Sequence, residues 1–371
     1  MKLLDRYIAR QYLINVIALL LIFASFVVTI DVSLNFDRFV SAADRYLKEE
    51  SANPGFVRRA VVTALLIADL WWPRLLQLFN YTLGMVMVGA MGFTFAQLVR
   101  GRELVGVLAG GIALHRAAGA VFVASLALTG VQIANQELVI PRIAAMLVRD
   151  HGDAGKRALG ETSVPMYKDS QGRLWFARAF KADEGELAGL MVWERDAQGL
   201  ATTRIAADSA RWNGKAWDLE NGSAVRLDEP EAPSAVKRIE TNLDPTAIKM
   251  RRYAGFAQSL SWMQVSQMLR RPELLDERGV AELERIRWGR LSILTANLLA
   301  LAVAMPFFLR REPCNMIVQS LKCAPIAITA LMGGVLGASA AIPGLPPQVG
   351  VFVPVMVLLP VAIGMATSVR T

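Results

Sequence analysis

The chain has 371 residues, 54% of them hydrophobic and only 19% charged, and a mean hydropathy of +0.37. Soluble domains sit near about 45–50% apolar and about 25% charged, so this composition excludes an ordinary soluble globule and asks for a lipid phase. The net charge of +8 does not point to nucleic acid, because the basic residues flank apolar runs instead of forming a patch interleaved with aromatics. The two cysteines, Cys314 and Cys323, are too few for a disulfide framework. His115 and His151 have no ligand partners nearby in sequence, so no metal or other cofactor is expected.

Lys2, Arg6 and Arg10 precede an apolar run from Tyr12 to Ile30, about 29 Å of helix and enough to cross a hydrocarbon core. Its length and its polar extension through Asp31, Asn35, Asp37 and Arg38 favour an uncleaved first span over a signal peptide. Asn53-Pro54-Gly55 marks a turn. Ala60–Trp72 is apolar but too short to span, and with Asp69 and a Trp pair it reads as an interfacial or tilted lead-in to the second span. The second span covers Leu75–Val99 and carries Gly84, Gly89 and Gly92, small residues that let helices approach closely. Arg100-Gly101-Arg102-Glu103 ends it, and a short Gly-rich helix occupies about 100–116. The third span runs from Ala117 to Ile133 and closes with Asn135, Gln136, Glu137 and Pro141.

Past residue 142 the character changes. Short alternating runs are separated by turn signals at Ser170-Gln171-Gly172, Ala197-Gln198-Gly199, Asn213-Gly214 and Asn221-Gly222, the pattern of a β-sandwich or jelly roll. Asn213-Gly214, between two Trp-containing runs, is the best hairpin signal. An amphipathic helical segment follows from about Ser261. Three further apolar runs, Leu291–Leu309, Cys323–Ile342 and Val349–Ala366, complete six spans.

Segments 1–10, 100–116, 310–322 and 369–371 carry ten basic residues against Asp5, Glu103 and Glu312, which places them and both termini in the cytoplasm and the β domain in the periplasm of a bacterial inner membrane. The expected fold is a membrane α-helical bundle of six transmembrane helices, arranged 3+3, with an inserted periplasmic all-β jelly-roll-like domain. Residues 1–141 hold the first three spans, 142–260 the β domain, 261–290 an amphipathic connecting helix and 291–371 the last three spans.

No GxxxxGK[ST], GxSxG or HExxH sequence occurs, so the chain is not expected to be an enzyme or to hydrolyse ATP. Two features remain. Arg102-Glu103 and the Gly-rich helix after it read either as an inter-span loop or as a handle for a cytoplasmic partner. Asp31, Asn35, Asp37 and Arg38 read as interface residues, where charge is tolerated. If they face the bundle interior, they meet a polar or phosphorylated lipid headgroup.

Several strings, in order, resemble the LptF/LptG (YjgP/YjgQ) permeases of the lipopolysaccharide export ABC transporter: Leu4-Asp5-Arg6-Tyr7-Ile8, Arg102-Glu103-Leu104 followed by Ala109-Gly110-Gly111, Asn135 through Pro141, and Leu345-Pro346-Pro347 with Pro354 beyond. The chain departs from the family at Pro73, about eleven residues ahead of the usual second-span proline position near Gly84, and at Arg290–Ala296, which lacks a proline. The headgroup-contacting basic residues that some members carry at the outer end of the first span are represented by Arg38 alone.

The resemblance implies a non-catalytic permease subunit that extracts lipopolysaccharide or a related glycolipid. It implies a cytoplasmic LptB-like ABC ATPase, a second LptF/LptG-type permease and LptC/LptA-like bridge proteins as partners. It also implies that Arg102, Glu103, Leu104, Gly110 and Gly111 form the element docked on the ATPase. The alternative is a membrane-anchored periplasmic interaction or assembly protein without transport activity.

Overall fold

The computed structural model describes residues 3–48, 55–147, 149, 151, 162–181, 184–196, 198–228, 233–245, 247–248, 257–270, 277–309, 315–342 and 344–368. Cys314, Arg310, Arg311 and the Asn53-Pro54 turn lie outside them. Two compact units are present: Met1–Gly155, Ser259–Val265 and Ala281–Thr371 form the first, Lys156–Gln258 and Ser266–Val280 the second.

In chain order the helices are α1 (Leu3–Lys48), α2 (Phe56–Arg100), α3 (Glu103–Ala109), α4 (Leu114–Ala134), a π turn (Asn135–Val139), α5 (Ile140–Leu147), α6 (Trp262–Leu269), α7 (Glu277–Phe308), α8 (Met316–Ser339) and α9 (Val353–Ser368), with a helical turn Pro347–Gly350 ahead of α9. Among the described residues six segments are long and apolar enough to cross a membrane: Leu3–Leu47, Phe56–Arg100, Leu114–Ala144, Gly279–Phe308, Val318–Ser339 and Pro347–Met365.

In sequence, 60–72 reads as an interfacial or tilted lead-in to the second span. The structure runs one helix through both, with Pro73 inside it. Two things keep α2 helical there. Leu66 and Leu70 pack on Phe39, Ala42 and Ala43 of α1, and Arg149 Nη2 donates to the Asp69 carbonyl at 3.1 Å, the acceptor that the missing Pro73 N–H leaves free. At 1.5 Å per residue α1 and α2 each reach about 65–70 Å, more than twice a hydrocarbon core. The charged stretch from Glu277 is likewise continuous with the span that follows, as the first turns of α7.

The core of the bundle joins Ile8, Tyr12 and Val16 of α1 to Leu83–Leu98 of α2, Leu114–Ala124 of α4, Leu301–Phe308 of α7, and Cys323 and Ala327 of α8. Small residues allow close approaches: a Cβ on Gly337 would run into the Pro354 ring, and one on Gly92 would meet Phe308 at 3.0 Å.

Several of the polar side chains buried in this apolar surround pair with one another. Asn15 Nδ2 donates to Thr94 Oγ1 at 2.9 Å and to Gln97 Oε1 at 3.0 Å, and Tyr12 and Ser125 share a hydrogen bond of 2.8 Å. Asn135 Nδ2 donates to Asn80 Oδ1 at 2.9 Å, Asn80 Nδ2 to Gln136 Oε1 at 2.7 Å, and Gln132 Nε2 to the Asn80 carbonyl at 2.7 Å. That last cluster sits at the π turn, where one extra residue in the helical turn re-aims the side chains.

The second unit is an antiparallel sheet: β1 (Thr162–Lys168), β2 (Leu174–Lys181), β3 (Glu186–Arg195), β4 (Ala201–Trp212), β5 (Ala216–Glu220), β6 (Ser223–Arg226), β7 (Ser234–Ala235) and β8 (Arg238–Glu240). The Asn213-Gly214 hairpin forms, with Trp212 paired to Trp217 and Asn213 Oδ1 accepting the Lys215 and Ala216 amides. Asn221-Gly222 is not a hairpin. β5 and β6 pair with β4 in one continuous register, Ser209 to Glu220 and Ala206 to Ser223, so the pair is an interruption within one strand, with Asn221 at φ +53°.

Cross-strand rows build the core: Trp175, Val192, Ile205 and Ala224 in one, Ala177, Leu190 and Ala207 in the next. Beyond Gly189 (φ +60°) the buried parity switches to Phe180, Leu187 and Ala210, so strict alternation fails there.

Asp169 organises the β1–β2 turn. Its carboxylate accepts Arg173 Nε at 2.7 Å, Trp175 Nε1 at 3.0 Å, and the Arg173 and Gln171 amides at 2.9 and 3.0 Å. Arg173 also donates to the Glu240 carbonyl on β8. Burial pushes the Asp169 carboxyl up, but the bonds from Arg173 and Trp175 outweigh it and hold the group below its usual range. A depressed folded pKa gives stability that is complete above the unfolded value near about 4 and is lost as pH falls through the folded value. Asp169→Asn should therefore cost about 3–5 kcal/mol at pH 7, as expected when a buried partner is left unpaired, and the gap from the unsubstituted protein should narrow below about pH 4. Denaturant unfolding of the full chain in detergent, followed by Trp fluorescence, measures this. A gap constant down to pH 3 contradicts it.

Candidate functional site

At one end of the bundle α2 and α4 are joined by α3. Gly101 donates to the Gln97 carbonyl at 2.9 Å, and Arg102 adopts a left-handed conformation (φ 57°) that turns the chain into α3. At the far end Gly111 (φ +70°) closes α3 as a Schellman motif, with Ile112 N bonded to the Val107 carbonyl and Gly111 N to the Leu108 carbonyl. Only a residue without Cβ takes that backbone without strain. Leu104 is buried, while Glu103, Val105, Gly106 and Ala109 are exposed. The exposed face carries one carboxylate on a seven-residue helix.

Two bonds tie this end to α1 and α4. Tyr7 Oη donates to Glu103 Oε1 at 3.2 Å, and Arg116 pairs with Asp5 at 3.1 Å. Between α1 and α3 lies a cavity of about 430 Å³, apolar through Leu4, Ile8, Leu98, Leu104, Val107 and Ile112, with Tyr7 and Glu103 also on its lining.

The polar residues farther along the first span occupy a different place. Tyr7 and Asp31 are separated by about 36 Å along α1, which exceeds the roughly 30 Å hydrocarbon thickness, so the two sites lie at opposite ends of the apolar band. Asp31 accepts from Trp71 Nε1 at 3.1 Å and Asn35 Nδ2 at 3.0 Å, and lies 3.1 Å from His151 Nε2. Asn35 has left the helical conformation (φ −117°, ψ 18°), and its Nδ2 donates to the Asp31 carbonyl at 3.1 Å. Beside this cluster Arg149, buried, pairs with Asp69 at 2.8 Å, and Phe39 meets the His151 ring edge-on. Asp37 and Arg38, on the next turn, are exposed.

The structure thus brings Arg102, Glu103, Leu104, Gly110 and Gly111 together as one short element. Asp31 and Asn35 are drawn into an internal clasp, and Asp37 and Arg38 are left at the surface. Sequence reasoning missed Tyr7, Asp5–Arg116, Trp71 and His151. The last was set aside for want of sequence neighbours, yet its partner lies 120 residues away. Tyr7 was within reach, because it belongs to the Leu4–Ile8 string. Among the described residues no three of His, Cys, Asp and Glu come together to hold a metal.

The clasp makes a specific expectation. Asp31→Ala removes the shared acceptor of Trp71, Asn35 and His151 and should cost about 1–3 kcal/mol, read as a lower unfolding midpoint in detergent. Asp37→Ala should change stability by less than about 0.5 kcal/mol. Equal effects of the two would show that Asp31 contributes no more than a surface carboxylate.

The family model for the lipopolysaccharide export system permease LptF/LptG matches residues 57–368, most of the chain, and the chain belongs to that family. It is a multi-pass membrane protein. No curated protein gives a match.

Proposed function

We propose that this member of the LptF/LptG permeases is a non-catalytic transmembrane subunit of an ATP-driven exporter. It extracts lipopolysaccharide, or a related glycolipid, from the inner membrane and passes it to a periplasmic bridge. The observation that carries the reading is α3: a seven-residue helix fixed at both ends, anchored by Leu104 and presenting Glu103 on an exposed face. Such an element can be pushed as a unit, since Arg102 and Gly111 set its two ends and Leu104 and Leu108 seat it on the core.

Drawing acyl chains out of a bilayer exposes apolar surface at about 0.8 kcal/mol per CH₂, and the chain has no phosphate-binding loop of its own. The work comes from a cytoplasmic LptB-like ABC ATPase gripping α3. A second LptF/LptG-type permease completes the lipid cavity, and the antiparallel sheet, as a jelly-roll-like periplasmic domain, hands the lipid to LptC/LptA-like partners. In this reading both termini and α3 face the cytoplasm, and Asp31, Asn35, Asp37 and Arg38 sit toward the periplasmic end of α1, where exposed Arg38 is available to a headgroup.

Glu103→Lys tests it. Reversal of the one acidic charge on α3 sets like charges against a cationic partner, a change that costs several kcal/mol. ATPase recovered with the full chain in mild detergent should fall at least about tenfold, with the unfolding midpoint unchanged. Normal recovery of the ATPase with this variant overturns the assignment and leaves the reading of a membrane-anchored assembly protein.

A further inference from the structure

We infer that the amino-terminal turn of α1 is part of the element an ATPase acts on, and that Tyr7 is a positioning residue for Glu103. This rests on the reading of α3 given above and adds to it a second strand of the same device, contributed by a different helix.

Three observations meet at the Glu103 side chain. Tyr7 Oη donates to Glu103 Oε1 at 3.2 Å. Gly101 leaves room for the carboxylate to fold back over the α2–α3 junction, since a Cβ there would stand 3.2 Å from Glu103 Oε1 and 3.4 Å from its Cγ. The turn that carries Tyr7 is itself held by the Asp5–Arg116 pair at 3.1 Å and by Ile8, fully within the core that also holds Leu104. An exposed glutamate on a short helix ordinarily samples several rotamers, and ordering it on binding costs free energy. Here one oxygen is already engaged, and Oε2 is without a hydrogen-bond partner among the described residues. That is the arrangement expected of a carboxylate pre-set to receive a cation from a partner surface.

A mechanical consequence follows. α1 is linked to α3 directly, at Tyr7–Glu103 and across the cavity that Leu4, Ile8, Leu104 and Val107 line. α1 then continues without a break as far as Asn35. Displacement of α3 reaches α1 without first passing through α2.

The test uses the full chain in mild detergent with the ATPase subunit that co-purifies with it. Tyr7→Phe keeps the ring on the cavity wall and removes only the hydroxyl. It should weaken ATPase binding about three- to tenfold, the net worth of one solvent-exposed hydrogen bond, with the unfolding midpoint unchanged. In a Glu103→Gln background Tyr7→Phe should have little further effect, because the two residues act as one unit. Gly101→Ala, which displaces the same carboxylate, should weaken binding in the same way.

Wild-type binding by Tyr7→Phe, or a loss that adds in full to that of Glu103→Gln, overturns the positioning role. If Glu103→Lys abolishes association while Tyr7→Phe has no effect, only this inference fails. If Glu103→Lys also binds normally, the coupling reading fails with it.

Discussion

A helix in hydrocarbon cannot turn its polar groups to water, so a polar group there either finds a partner inside the bundle or stands unpaired at a cost; among the described residues the buried side-chain oxygens of Gln132 and Gln319 are left without one. Asn15, Thr94 and Gln97 close one such set between α1 and α2. Asn80, Gln132, Asn135 and Gln136 close another between α2 and the end of α4. Leaving one member alone in lipid costs more than the bond itself contributes, so these sets fix the rotation and register of the helices against one another. The glycine contacts then decide how near the axes come. The same demand explains the irregular places. Where Pro73 and Asn35 interrupt the backbone ladder, Arg149 and the Asn35 amide take up the freed carbonyls.

That constraint also sorts the two ends of α1. At one end polar groups serve the bundle itself: Asp31 gathers Trp71, Asn35 and His151, and Arg149 locks Asp69. At the other end the bundle leaves a short helix standing at its surface with an acidic side chain on it, attached to α1 by Tyr7 and Asp5–Arg116. A third ionic node, Glu137 with Arg290 at 3.2 Å and with the Trp262 amide at 2.6 Å, joins the π turn to α7 and to the chain entering α6.

The six apolar segments were readable because about 20 apolar residues in a row have few soluble explanations. Their true lengths were not. Residues 36–48 and 56–72 look polar or broken in isolation and are helical because Phe39, Ala42 and Ala43 find Leu66 and Leu70, a contact between sequence-distant segments. Asn213-Gly214 announced its hairpin through local turn chemistry. Asn221-Gly222 carried the same signal and lies instead inside a strand, because pairing with β4 on both sides overrides it. At the candidate site, Glu103 and the following glycines stood out by local composition. Tyr7 with Glu103, Asp5 with Arg116 and Asp31 with His151 are pairs separated by about a hundred residues, and no periodicity within one helix reports them.

Coupling to an ATPase requires α3 to face the compartment where ATP is hydrolysed. Val105 lies on α3 beside Glu103 and is 64% exposed, and Lys215 is exposed in the Asn213 turn of the sheet. With Cys314 and Cys323 replaced by serine, single cysteines at these positions can be challenged with a membrane-impermeant maleimide in sealed vesicles of known sidedness. With α3 cytoplasmic and the sheet periplasmic, Val105→Cys should be labelled only in inverted vesicles and Lys215→Cys only in right-side-out ones. Labelling of Val105→Cys from the periplasmic face, or from neither face, would contradict it.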